Sequence, residues 1–370
     1  MEKVKIDDVL KYEQPTNYLV ENEDYNDSFE TPVLTAGKTF LLGKTNEKSG
    51  IYNNVPVIIF DDFTTAFHYV DFPFKVKSSA MKILKNVEEK SDLKYLYYKM
   101  QTISIDTNLH KRYWISKYSQ IKIKLPPLPA QQKIAAILDQ ADAIIQNNRA
   151  IVQKYDALTQ SLFLDMFGDP VKNEKGWEKK ELNKLCNKIT DGTHDTPKRL
   201  TEGIKFITGK HIRPFEIDYD NSDYVTEEIH KEIFKRCNPE YGDILYTNIG
   251  VNFATAAMNS VEYEFSMKNV ALLKYKRELL NGRYLVHNLN NEFFKDKLKK
   301  TFGVGGAQQF LSLSNIKSIV VLVPPIELQN QFAERVAVIE AQKQQAQLEL
   351  AKSEELFASL LQRAFNGELN

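Results

Sequence analysis

A repeat offset by 198 residues constrains this chain more than any other feature. Leu125-Pro126-Pro127-Leu128 opens one long helical pattern, and Val323-Pro324-Pro325-Ile326 opens another. Aligned without a gap, residues 125–167 and 323–365 share 11 of 43 positions, among them Gln131/Gln329, Ala135/Ala333, Lys154/Lys352, Leu158/Leu356, Ser161/Ser359, Leu162/Leu360 and Phe167/Phe365. The segments before them echo each other more loosely. Leu34-Thr35 answers Ile207-Thr208, Tyr95-Leu96 answers Tyr284-Leu285, and Ile115-Ser116 answers Leu313-Ser314. The offset therefore grows from 173 through 189 to 198, as loop insertions would make it do. Self-similarity at this scale predicts one supersecondary plan used twice. The expected order is globule (1–125), helix (126–170), globule (171–323), helix (324–370).

Each helix starts after Pro-Pro, where an extended chain can turn into a helix. In the first, Ile134, Leu138, Ala141, Ile145, Asn148, Val152, Tyr155, Thr159 and Leu162 alternate spacings of four and three. Such spacing makes a coiled-coil seam. The same positions in the second copy are Phe332, Val336, Ile339, Lys343, Ala346, Leu350, Ser353, Phe357 and Leu360. Gly168-Asp169-Pro170 and Asn366-Gly367 supply the stops. Each helix then runs roughly 33 residues, or about 50 Å at 1.5 Å per residue. Neither can bury its stripe alone, so the two are expected to pair antiparallel. Asn148, Lys343 and Ser353 would weaken that seam while restricting its register.

The globules read as mixed α/β. Strand-like runs fall at Val57–Phe60, Lys205–Thr208, Asp243–Tyr246, Val270–Tyr275 and Ile319–Val323, with shorter helices at Leu93–Met100 and Arg283–Leu289. The expected class is thus α/β (mixed α+β), with two globules separated by two long helices in an antiparallel coiled coil.

Composition narrows the function classes. With 42% hydrophobic and 26% charged residues, the chain is of ordinary globular type. No apolar run approaches the ~18–20 residues that span a bilayer. The N-terminal MEKVKIDDVLKYEQ is too polar for a signal peptide. Cys186 and Cys237 form neither a disulfide framework nor a CxxC pair. A reduced, cytoplasmic protein is expected. Net charge is zero, but unevenly spread: +1 over 1–125, −2 over 126–170, +4 over 171–323 and −3 over 324–370. A polyanion would have to be met by local patches on the two globules.

Several near-motifs carry no chemistry. Gly37-Lys38-Thr39 and Gly43-Lys44-Thr45 lack the earlier glycine of a phosphate-binding loop, having Pro32 and Lys38 there. Asn238-Pro239-Glu240-Tyr241 resembles the Asn-Pro-Pro-aromatic motif of amino-methyltransferases, with Glu240 in place of the second proline. No glycine-rich turn for a methyl donor precedes it, and Phe302-Gly303-Val304-Gly305-Gly306 has the wrong spacing and reads as a loop. The six histidines never fall at HExxH or HxH spacing, so no metal site is expected. The chain reads as noncatalytic.

Pro126 to Ala135, followed by a long helix and Phe163…Met166-Phe167-Gly168-Asp169, resembles the central conserved region of specificity subunits of type I restriction–modification enzymes. Pro324-Pro325-Ile326-Glu327-Leu328-Gln329 resembles their C-terminal conserved region. Asp191-Gly192-Thr193-His194-Asp195-Thr196-Pro197, and Tyr241-Gly242-Asp243-Ile244-Leu245 with Gly250, look like parts of a target recognition domain. The first globule departs most: Val55-Pro56-Val57-Ile58-Ile59-Phe60 stands where the second has Gly-Asp-Ile-Leu, and it has no Asp-Gly-Thr-His.

The resemblance implies a subunit that binds double-stranded DNA. Each recognition domain reads one half of a split target, and the coiled coil sets the gap. Two methyltransferase subunits dock on the helices and methylate adenine at N6, and two restriction–translocase subunits complete the nuclease. S-adenosylmethionine, ATP and Mg belong to those partners, with no cofactor in this chain. Base edges favour Arg, Lys, Asn, Gln, Ser and Thr. Loop segments offer Lys44, Lys48, Thr64, Thr65, His68, Lys111, Arg112 and Tyr113 in the first domain, and Thr193, His194, Lys198, Arg199, Gln308 and Gln309 in the second. The rival readings are a stand-alone DNA-binding scaffold and an enzyme built around Asn238–Tyr241.

Overall fold

In the computed structural model, residues 2–37, 39–105, 112–250, 252–302 and 310–369 are described. The chain divides into two compact units, residues 1–150 with 347–370, and residues 151–346. Each unit takes one globule, the start of one long helix and the end of the other.

The first unit opens with β1 (Glu2–Lys5), the short helix α1 (Ile6–Val9), β2 (Leu10–Glu13), β3 (Thr31–Leu34), β4 (Leu41–Thr45), β5 (Val57–Asp61), β6 (Phe67–Val70), β7 (Lys75–Val76) and β8 (Met81–Asn86). Helices α2 (Leu93–Gln101) and α3 (Tyr113–Ser116) follow, then β9 (Lys122–Leu125) and the long helix α4 (Leu128–Phe167). Strands β2-β8-β5-β6 form an antiparallel sheet, β4-β3-β7 a smaller mixed one, and β1 pairs with β9 to lead the chain into α4.

The second unit repeats this plan. It contains β10 (Glu178–Glu181), α5 (Leu182–Leu185), β11 (Cys186–Asp191), β12 (Ile204–Thr208), β13 (Ile212–Arg213), β14 (Glu216–Ile217), β15 (Asp223–Val225), α6 (Glu227–Arg236) and β16 (Ile244–Thr247). Then come β17 (Ala256–Met258), β18 (Ser266–Lys268), β19 (Val270–Tyr275), α7 (Gly282–Asn290), α8 (Glu292–Phe302), α9 (Leu313–Lys317), β20 (Val320–Val323) and the long helix α10 (Ile326–Asn366). Its sheets are β11-β19-β16-β17, β15-β12-β18, β10-β20 and the two-stranded β13-β14. Strand β12 pairs antiparallel with β15 and parallel with β18, as β3 does with β4 and β7. The insertions that stretch the repeat are the β13–β14 hairpin, α6 and α8.

The apolar runs have a simple cause. Successive side chains of a strand point to opposite faces, and here both faces of the four-stranded sheet are covered. Ile58 and Phe60 join the core shared with α2 and α4, whereas Val57 and Ile59 join the core beneath the smaller sheet. In the second unit Ile244 and Tyr246 face the helices, and Leu245 faces the smaller sheet. A central strand buried on both sides reads as a continuous apolar run. Cys186 and Cys237 are free and buried, and burial pushes both thiols up to about 12.

Both long helices exceed the length expected from the seam, at 40 and 41 residues. Helix starts immediately after Pro-Pro, before the seam begins, and persists to Gly168 and Gly367. Both glycines take the left-handed backbone, at φ +77° and +89°, which ends a helix without a Cβ penalty.

The helices run antiparallel within each unit. In the first, Asn148 Nδ2 donates to Ser353 Oγ at 2.9 Å and Arg149 pairs with Glu354 at 2.7 Å. Tyr98 meets Phe357 there at 5.9 Å between ring centroids. In the second unit Lys343 pairs with Asp156, and Phe332 packs on Phe163 and Phe167. In the first unit Ala364, near the end of α10, shares the core of Ile134 and Leu138 near the start of α4, and in the second Phe332, near the start of α10, meets Phe167 at the end of α4.

One joint recurs in both units. Gln131 is fully buried: its Oε1 accepts from Asp92 N–H at 2.9 Å, and its Nε2 donates to Lys90 O at 3.0 Å and Pro126 O at 2.8 Å. Gln329, also fully buried, accepts from Asn281 N–H at 2.9 Å and donates to Leu279 O at 3.1 Å and Pro324 O at 2.8 Å. Asp92 and Asn281 are the N-cap residues of α2 and α7. Each glutamine thus ties the first turn of a long helix to its globule. Losing either would leave three backbone groups without this partner, and the proline carbonyl, whose bond is buried, would alone cost about 1–3 kcal/mol.

Leu138, with no exposed surface, sits in the core that joins α4 to the first sheet. Leu138→Ala is expected to cost about 2–5 kcal/mol, read as a lowered urea midpoint. A loss under about 0.5 kcal/mol, the range of ordinary surface changes, would mean that α4 is not docked there.

Candidate nucleic-acid interface

In the second unit the loop after β11 is built as a rigid platform. Asp191 is buried, with Oδ1 facing Arg236 Nη2 at 3.1 Å and Oδ2 facing His194 Nε2 at 2.9 Å. The same Arg236 nitrogen donates to Gly192 O at 2.6 Å. A Cβ on Gly192 would lie 2.1 Å from Met267 O, so only glycine fits. Thr193 N–H donates to Met267 O at 2.9 Å, and Asn269 N–H to Thr193 O at 3.2 Å. His194 Nδ1 lies 2.9 Å from Asn269 Oδ1, and Lys268 Nζ bonds Thr196 Oγ1. Asn269 itself takes the left-handed backbone, at φ +52°.

The candidates on this loop therefore differ in kind. Thr193 is half-buried and bridges to β18 through its backbone. His194 is exposed, but both ring nitrogens are engaged. Arg199 is anchored to Asp223 at 2.8 Å, which Lys210 shares at 3.1 Å. Lys198 is exposed and makes no hydrogen bond or ion pair among the described residues. Gln308 and Gln309 lie outside the described residues. Arg236 and Asn269, which hold the platform, were not legible in the sequence. They arrive from α6 and from the residue after β18, with nothing in their local pattern to mark them.

The first unit gathers a different set. Asp61 Oδ1 accepts from Phe63 N–H at 2.8 Å and Thr64 N–H at 2.9 Å, closing the turn that carries Thr64 and Thr65. Thr65 sits at φ +59°. Next to it, buried Asp62 accepts from Tyr113 N–H and Trp114 N–H, both at 2.8 Å, and faces buried Lys82 at 3.5 Å. That tie brings exposed Arg112 beside the threonine turn. Tyr113, in contrast, is 1% exposed and packs inward, so its ring is not presented at the surface. His68, on β6, rests on Phe40 at 4.5 Å with Nε2 3.3 Å from Gly37 O. Lys48 pairs with Glu30 at 3.3 Å at the surface, and Lys44 is half-buried on β4. Lys111 lies outside the described residues. The counterpart of Thr193 is Leu19, which makes the matching parallel bridge onto β7. Between β2 and that bridge stand Gln14-Pro15-Thr16-Asn17-Tyr18, where the second unit has Gly192 alone.

On the long helices Ile134, Leu138, Ala141, Ile145, Phe332 and Val336 are buried. Asn148, Val152, Tyr155, Thr159, Leu162, Ile339, Lys343, Ala346, Leu350, Ser353, Phe357 and Leu360 are half-buried. Ile144 of the first unit, and Ile151 and Leu158 of the second, are about half exposed on α4, at seven-residue spacing.

The near-motifs acquire structural explanations. Gly43-Lys44-Thr45 is part of strand β4, not a loop opening a helix; Lys38 lies outside the described residues. Asn238 Oδ1 accepts from Lys188 Nζ at 3.2 Å, while Glu240 and Asp243 share Lys274 at 2.9 and 2.8 Å. These residues form a wired turn. A cleft of about 640 Å³ in the second unit is lined by Phe163, Phe215, His287, Lys295 and Lys343 among others. His287 is packed against Phe215 and Phe332, and burial, aided by Arg283, pushes its pKa down to about 3. It serves the core as a neutral ring.

Comparison with known proteins agrees with this arrangement. Residues 1–154 match the model of the type I restriction modification DNA specificity domain. The chain is 33% identical over 351 residues to the EcoR124I/EcoR124II type I restriction enzyme specificity subunit of Escherichia coli, covering 90% of this chain and 85% of that protein. Its fold is similar to the S subunit of a type I restriction–modification system from M. genitalium, with TM-score 0.63 and 16% identity over 98% of this chain and 96% of that one. A second solved chain, from work on assembly of a type I system, gives TM-score 0.53 at 15% identity over 99% and 98%. Two recognition folds on a paired-helix scaffold define a DNA-reading subunit rather than an enzyme. The chain belongs to the specificity subunits of type I restriction enzymes, the noncatalytic DNA-recognition members of those complexes. Among the described residues, no helix is long and apolar enough to cross a membrane.

Two outcomes follow from these environments. Lys198→Ala is expected to make the log K against log salt plot shallower by about 0.9, one phosphate contact. Arg199→Ala is expected to change it less, because Asp223 already faces that charge. An unchanged slope for Lys198→Ala, in titrations of the DNA complex, removes this loop edge from the interface. For His287, a folded pKa below the unfolded ~6.5 means the unfolded chain binds the extra proton, so stability falls as pH drops from about 6.5 toward 3. His287→Phe should flatten that acid limb by up to ~1.4 kcal/mol per pH unit, measured by urea unfolding at pH 7, 5 and 4.

Proposed function

We propose that each recognition fold reads one half of a split duplex target and that the paired helices set the unread gap between the halves. The helices also dock two adenine-N6 methyltransferase subunits, and two ATP-driven restriction–translocase subunits join through them. S-adenosylmethionine, ATP and Mg are held by those partners, and the complex works in the cytoplasm. The observation that carries this reading is the duplicated strand order, two copies of one recognition fold leading by β9 and β20 into α4 and α10.

Within each fold we assign base or phosphate contacts to Lys198 in the second domain, where His194 and Arg199 are held by Asp191, Asn269 and Asp223 and support the loop, and to Thr64, Thr65 and Arg112 in the first. Lys44, Lys48, His68 and Thr193 lie farther into the structure or are already paired, and suit phosphate contacts or loop support. Roughly half of protein–DNA hydrogen bonds go to phosphate and sugar, which position without specifying. For docking, the open face of α4 in the second unit, with Ile151 and Leu158, offers apolar side chains that the seam does not use. A partner helix reading seven-residue spacing would cover them.

The decisive test maps N6-methyladenine at base resolution in the host genome with this gene intact and deleted. A split motif with one methylated adenine per half should vanish on deletion; an unchanged methylome, with reconstituted methyltransferase also inactive, would reject the reading. Ile151→Lys with Leu158→Lys should abolish co-purification with the methyltransferase chain while circular dichroism stays unchanged. Normal assembly would move the docking face elsewhere.

A further inference from the structure

We propose that Gln131 and Gln329 are positioning residues that set the spacing at which the two half-sites are read, by fixing the direction in which each long helix leaves its recognition fold. The proposal rests on the bipartite reading above and assigns its geometric control to two side chains.

Both glutamines are fully buried in the first turn of a long helix, three residues before the seam begins at Ile134 and Phe332. Burying an amide there is costly unless every polar atom finds a partner. A leucine or methionine would fill the space without that demand. Yet the amide stands at both joints, although the two helices share only 11 of 43 positions. Its bonds follow one pattern in each unit. One reaches the N–H of the N-cap of α2 or α7, at Asp92 or Asn281; one reaches the carbonyl two residues earlier, at Lys90 or Leu279; and one reaches the first proline of the Pro-Pro step.

Apolar contacts alone would hold the joint but let it slide and tilt. Three hydrogen bonds from one planar amide to three backbone groups are directional and weaken steeply off axis. In the second unit a further strut closes the same joint, from Asn281 Nδ2 to Asn330 Oδ1 at 2.9 Å. The need for such stiffness follows from length. A 40-residue helix is about 60 Å long, so a tilt of about 5° at its start displaces its far end by about 5 Å. That exceeds the ~3.4 Å step of one base pair. A gap read to the base pair therefore requires a joint without free play.

The test uses the full chain reconstituted with its methyltransferase. Duplexes carry the motif defined by methylome mapping, with the natural spacer and with spacers one base pair shorter and longer. Gln131→Met and Gln329→Met keep side-chain length but remove the bonds, while Leu138→Ala serves as a variant that loosens the core without touching the amide. The glutamine variants should lower discrimination between the natural and altered spacers by about tenfold, roughly the worth of one such bond, with base preference inside each half-site unchanged. Leu138→Ala should weaken binding to all spacers alike. Should the buried substitutions fail to fold, Asn330→Ala removes the exposed strut and should relax spacer choice in the same direction by a smaller factor. Glutamine or Asn330 variants that keep wild-type spacer discrimination overturn the proposal. A wild-type complex indifferent to spacer length overturns the bipartite reading and the proposal with it.

Discussion

Neither long helix can bury its own apolar stripe, and the architecture follows from that. A stripe at alternating spacings of four and three needs a facing helix, and the chain carries one partner for it, some two hundred residues away. Antiparallel pairing then joins the start of α4 to the end of α10 in the first unit, and the reverse in the second. This is why the compact units do not coincide with the linear order of globule and helix. Residues 347–370 complete the core around Leu138 and Tyr98, where Ala364 and Phe357 enter from the far end of the chain. The register is keyed by polar pairs, Asn148 with Ser353 and Asp156 with Lys343. A purely apolar seam would be stronger but freer to slip.

The duplicated sheets answer a second demand. A recognition fold must hold variable loops on a frame that does not change with them. Here the frame is a four-stranded antiparallel sheet with both faces buried, closed on one side by a short helix and a long one. Among the described residues its edges and connections differ between the copies: the β13–β14 hairpin, α6 and α8 stand in the second unit alone. Because the additions lie between strands, the strand order survives them, and the long helix still leaves from the same place.

Much of this was legible in the sequence because it repeats. The helices, their stops, their pairing and the main strands were marked by Pro-Pro, by glycine and by period. Helix length was underestimated at about 33 residues, since a seam marks only the part of a helix that faces its partner. The strand bounds moved by about a residue, within the usual uncertainty of element ends. What could not be read was side-chain wiring across long separations. Nothing near Arg236 announces that it grips Asp191 and Gly192, and nothing near Tyr113 announces that its ring turns inward. Gln131 and Gln329 were visible only as two identities in an alignment; their burial gave the identities a meaning.

The interface candidates divide along the same line. Asp191, Gly192 and Asn269 have their chemistry spent inside the protein: a carboxylate gripped by Arg236 and His194, a glycine with no room for a Cβ, a backbone held left-handed. Such residues fix where the loop is. Lys198 and Arg112 are exposed at the margins of these fixed frames, and side chains of that kind can change without cost to the frame. A recognition fold that separates the two roles can exchange its readers while its geometry persists. The contrast between Thr193 and its counterpart Leu19 fits this: the backbone bridge to the inner strand is kept, and the side chain is not.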